Sequence, residues 1–138
     1  MPALARKPHR RPAQSKALEQ WLKLLDTLFN DITAWVNAEQ WPLGEQHTTI
    51  QEEGLGQYQV RVLNIKTPNG ILIVEPIAHS VIGAQGRVDL YAFPSLNRAR
   101  MLWTGKKWIV RTDSDAQLRQ TWCKKTFIDL AQDLTKAP

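Results

Sequence analysis

Cysteine is almost missing from this 138-residue chain, where Cys123 stands alone. One thiol excludes an internal disulfide and any zinc site built on cysteines; it fits a buried thiol in a reducing cytosol. Histidine is also scarce. His9, His47 and His79 are scattered, without the spacing that metal ligands need. No metal or other cofactor is therefore expected. The chain lacks Gly-x-Gly-x-x-Gly and the glycines of a Walker-type loop, which removes the common nucleotide cradles. No apolar run approaches the ~18 residues of a membrane span, so no membrane contact is expected. The charged N-terminus is followed by no apolar block of the secretory kind. Its arginines and missing acids fit a transit sequence only poorly, with one serine present. Internal repeats are absent as well. The expectation is a cytoplasmic protein.

Acids are missing from two stretches, and that shapes the charge more than the net +5 does. Residues 1–16 carry Arg6, Lys7, Arg10, Arg11 and Lys16 with no acid, and residues 95–112 carry Arg98, Arg100, Lys106, Lys107 and Arg111 with none. Between them, residues 17–94 are net −5. A polyanion would therefore meet a tail and one hairpin, not a uniformly basic surface. Residues 1–13, with Pro2, Pro8 and Pro12, have little to bury and read as a flexible basic arm ahead of a single domain over 14–138.

The densest apolar run, Ile71–Ile82, is rich in Ile and Val and predicts a central strand covered on one or both faces. Pro76 cannot donate to a ladder, which predicts a split into 71–75 and 77–82 at a bulge. Upstream, Leu18, Trp21, Leu25, Leu28, Ile32 and Trp35 step by three and four, predicting a helix from about Ser15 to Ala38. Ser15 is its expected N-cap. Without regular flanking charge pairs, the seam suits packing on a sheet better than a coiled coil.

Gln46–Gln51 and 57–66 read as strands. In the second, Tyr58, Val60 and Val62 alternate until Leu63 and Ile65 break phase, predicting a far end covered on both sides. Pro68-Asn69-Gly70 predicts a three-residue hairpin closed by a left-handed glycine. Arg87–Phe93 is the next strand. Thr104-Gly105-Lys106-Lys107 predicts a II′ turn that sets Trp103 against Trp108 and Arg100 against Arg111. Asp113, Ser114 and Asp115 offer caps for a last helix, Ala116–Leu134. The order predicts an α+β fold: an N-terminal helix, five or six mainly antiparallel strands, and a C-terminal helix, with both helices on one sheet face.

Catalytic constellations are weak. Glu75, His79 and Asp89 fall on strands expected to be adjacent and are the best candidates for a carboxylate–imidazole cluster or a metal-dependent nuclease or hydrolase site. No lysine lies between 70 and 100 to complete a nuclease site, and Asp89 two residues after Arg87 reads equally as its ion-pair partner. Gly83-Ala-Gln-Gly86 matches a Gly-x-x-Gly clamp, but strands flank it, so it reads as a turn. Trp103 and Trp108 among Arg98, Arg100, Lys106, Lys107 and Arg111 form a stacking platform for single-stranded nucleic acid if exposed. If they face the helices, those basic residues are a solvated edge. The leading expectation is a small non-enzymatic binding module whose partner is nucleic acid or an acidic protein. Its contacts would be Arg6, Lys7, Arg10, Arg11 and the hairpin cations. The alternative is a protein–protein adaptor or inhibitor that uses the acidic 39–53 region or a strand edge.

Overall fold

A computed structural model of the chain describes residues 12–112 and 117–136. Helix α1 (Pro12–Ala38) is followed by strands β1 (Leu43–Glu52), β2 (Gly56–Thr67), β3 (Gly70–Ala78), β4 (Arg87–Phe93), β5 (Arg98–Trp103) and β6 (Trp108–Thr112), then helix α2 (Lys124–Thr135). The strands form one antiparallel meander in sequence order, and the architecture is the expected α+β one with both helices on one sheet face.

The seam of α1 is the reason the helix sits where it does. Leu18, Trp21, Leu25, Leu28 and Ile32 are all buried, together with Phe29 and Val36. Each such side chain contributes roughly 1.5–3 kcal/mol by leaving water, and the sheet is what they leave water for. The helix starts at Pro12, three residues before the expected Ser15 cap. Proline is tolerated in a first turn because the backbone donor it lacks has no partner there. Of the expected arm, Arg6, Lys7, Arg10 and Arg11 lie outside the described residues, as do the Asp113, Ser114 and Asp115 caps.

Several expectations change. β3 does bulge after Pro76, where the register shifts between Pro76 and Ala78, but the strand ends at Ala78 and residues 79–86 form a loop in which Ile82 is fully exposed. The loop is tied down from afar: the Glu52 carboxylate accepts the backbone N–H groups of His79 and Ser80 and the hydroxyl of Tyr58. Tyr58 in turn accepts the indole N–H of Trp21. The far end of β2 is covered on one side only. Leu63, Ile65 and Thr67 are buried while Asn64 and Lys66 are exposed, so the phase break is a change of face and not double coverage. The β2–β3 turn has two residues, Pro68 and Asn69, because Thr67 pairs directly with Gly70. Gly70 is required for space instead of handedness: a Cβ there would stand 2.4 Å from the Phe93 carbonyl oxygen.

The last helix begins at Lys124, not Ala116. Residues 117–123 form an irregular strap along the outer edge of β6, where Leu118 N–H bonds the Val110 carbonyl and Gln117 bridges Arg111. Pairing this edge satisfies backbone groups that a helix starting at 116 would leave open. Trp122 closes the strap against Trp35 and Phe127, with ring centroids 5.6 and 5.7 Å away. Cys123, expected to be buried, is exposed at the N-cap of α2.

Candidate nucleic-acid interface

Strand alternation sorts the side chains of β3 to β6 into two sets. Leu72, Val74, Val88, Leu90, Ala92, Ala99, Met101, Trp108 and Val110 are buried on the helix side. The other set makes a face on which no described element packs, and cross-strand register lays it out in rows. Lys66, Ile71 and Phe93 form one row, and Asn64, Ile73, Tyr91 and Arg98 the next. Glu75, Asp89, Arg100 and Arg111 form a third, and Arg87, Leu102 and Ile109 a fourth.

The hairpin register is the expected one: Trp103 pairs with Trp108 and Arg100 with Arg111. Its turn has Gly105 at φ +100. The tryptophans, however, are not the platform. Trp103 shares the parity of buried Ala99 and Met101, and Trp108 is 8% exposed, 6.4 Å from the ring of Trp21 beneath α1. Lys106 and Lys107 project at the exposed hairpin tip. Arg98, Arg100 and Arg111 lie on the open face, away from the tryptophans and beside a different aromatic pair.

That pair is Tyr91 and Phe93, at alternate positions of β4. Phe93 is 44% exposed. The rings stand 5.8 Å apart at 80°, and the Arg98 guanidinium lies 5.5 Å over the Tyr91 ring. Tyr91 donates to Glu75 at 2.7 Å. Burial and this carboxylate push the Tyr91 phenol up to about 12, so it remains a neutral donor at physiological pH. The sequence alternation within β4 already puts Tyr91 and Phe93 on one face. What it does not show is that the turn at 94–97 brings Arg98 opposite Tyr91.

Both acids of the face are engaged. Arg87 grips Asp89 through two parallel bonds of 2.7 and 2.9 Å, a bidentate geometry that also holds the guanidinium firmly charged. Glu75 and Asp89 do come together, as direct cross-strand partners. His79 does not join them: it lies past the bulge with its ring 5.8 Å from Trp21. Among the described residues, no group of three His, Cys, Asp or Glu side chains is placed to hold a metal. Among the described residues, Lys66, Arg87, Arg98, Arg100 and Arg111 stand against Glu75 and Asp89, and this part of the face is net basic. Compared with known protein families, curated proteins and solved structures, the chain matches none.

Proposed function

We propose that the protein is a non-enzymatic binding module whose open sheet face takes single-stranded nucleic acid. The observation that carries this reading is the juxtaposition of Tyr91 and Phe93 with Arg98, Arg100 and Arg111 on a sheet face that no described element covers. Unpaired bases stack on aromatic rings of such a surface, and arginines along one flank take the phosphates. A duplex keeps its bases stacked inside and cannot use the rings. The engaged acids matter here too, since Arg87 and Tyr91 each answer one carboxylate and lower its repulsion of a phosphate chain. Ile71 and Ile73 extend the apolar floor beside the rings.

The test is fluorescence anisotropy with labelled single- and double-stranded oligonucleotides. Single strands should bind more tightly, and Phe93→Ala should weaken them by the ~1–3 kcal/mol of a lost stacked base. Equal affinity for both forms together with an unaffected Phe93→Ala variant would reject the reading.

A second reading rests on a separate observation. β1 is an edge strand of ten residues whose side chains are mostly exposed. Such an edge accepts an added strand from a partner protein. In that case, a proline at Thr48 should abolish partner capture and leave oligonucleotide binding intact.

A further inference from the structure

The strap that replaces the expected first turns of α2 borders an open-mouthed pocket of about 310 Å³ against the tip of the β5–β6 hairpin. That volume lies at the low end of the ~300–1,000 Å³ typical of small-molecule sites. Its apolar wall is Trp103, Trp108, Ile109, Leu118 and Trp122. Trp103 and Trp108 meet edge to face at 5.3 Å. Gln117, Gln120 and two cations, Lys107 and Arg119, complete the polar part of the lining. The described lining holds no carboxylate.

We propose that this pocket is a mononucleotide site, with purine nucleoside monophosphates its best ligands. Three indoles offer a planar ring system faces and edges to stack on. Glutamine amides carry a donor and an acceptor side by side, the pattern that reads an adenine edge. Lys107 and Arg119 answer a phosphate, and among the described residues no acid lines the wall. A hydrocarbon ligand would leave both cations and both amides without use, and a bare phosphate would leave the three indoles without use. The site does not depend on the open-face reading, because Trp103 and Trp108 belong to the opposite side of the sheet.

The experiment is calorimetric titration of the full chain with 5′-AMP, adenosine and ribose 5-phosphate, accompanied by NMR of the indole N–H signals. AMP should bind more tightly than adenosine, and ribose 5-phosphate should bind least. The Trp103, Trp108 and Trp122 signals should move while that of Trp41, which lies in the α1–β1 connection and does not line the pocket, stays. The double variant Lys107→Glu with Arg119→Glu changes only exposed side chains, so it should fold normally. It should lose at least tenfold in AMP affinity and keep its adenosine affinity. Shifts confined to other tryptophans, ribose 5-phosphate binding as well as AMP, no saturation with AMP, or an unchanged AMP affinity in the double variant would each overturn the proposal. Retained oligonucleotide binding in that variant would show the open face acting separately.

Discussion

Reversing two charges on β5 should change the salt dependence of oligonucleotide binding by a calculable amount. Each phosphate neutralised on a single strand contributes about −0.7 to the slope of log K against log salt. Arg98 lies 5.5 Å over Tyr91, and Arg100 stands between Asp89 and Arg111, so both flank the rings where a backbone would run. Arg98→Glu with Arg100→Glu should therefore flatten the slope by about 1.4, whatever else the chain touches. Between 50 and 200 mM salt, the wild type should lose roughly sevenfold more affinity than the variant. At the lower salt the variant should already bind on the order of 10²-fold more weakly, taking ~1.5 kcal/mol for each charge-assisted bond to a phosphate that the substitution removes. Anisotropy titrations at four salt concentrations measure both quantities. Arg98→Lys with Arg100→Lys keeps the charges and should keep the slope, which separates phosphate binding from damage to the fold. A glutamate at position 100 would face Arg111 on one side and the nearly buried Asp89 on the other, so urea unfolding of the variant checks the fold independently. An unchanged slope in the glutamate variant would refute the placement of nucleic acid on this face.

Other consequences are structural. Asp89→Asn breaks a bidentate pair to a carboxylate that is nearly buried beneath an arginine about a third exposed; urea unfolding should show a loss of about 1–3 kcal/mol, and no loss would mean that the pair is idle. Burial alone would raise the Glu52 carboxyl, but its bonds from Tyr58, Ser80 and His79 outweigh burial and hold it below the ordinary 4.5. Its contribution to stability is thus complete above that value and fades as pH falls through the lower folded value. Glu52→Gln should remove this part of the acid sensitivity in melting curves, and identical curves would contradict the role. Gly86→Ala would drive a Cβ to 2.3 Å from the Trp21 ring, and because Trp21 is wedged in the core the cost should be about 1–3 kcal/mol in the same unfolding assay. Cys123 is exposed, and bonds from Thr126 favour its thiolate, so it should react with a thiol reagent in the folded protein without denaturant. Reaction only on unfolding would contradict its position.

What can be read from the residues is whatever local chemistry decides. The α1 seam needs only its own spacing, and the β5–β6 register follows from Gly105-Lys106, so Arg100 against Arg111 is legible. What cannot be read depends on partners far along the chain. Residues 79–82 look like strand by composition, yet Glu52 captures the backbone N–H groups of His79 and Ser80 and holds a loop. The turn that sets Tyr91 opposite Arg98 is anchored by Ser95 and Asn97, which both bond the carbonyl of Leu134 near the end of α2. Leu118 and Trp122 sit four apart and suggest a helix face, but the free edge of β6 competes for the same backbone and wins it. For the site, the arginines are visible as a block without acids. Their aromatic companions are not the tryptophans that composition suggests, because alternation sends Trp103 and Trp108 to the helix side and Tyr91 and Phe93 to the open one.

The most direct test of that assignment is chemical-shift mapping with a short unlabelled single strand added to the isotope-labelled protein. Shifts concentrated on Ile71, Ile73, Tyr91, Phe93, Arg98, Arg100 and Arg111 are the predicted result. Shifts on α1 and α2 that leave these residues unmoved, or no shifts at low salt, would contradict it.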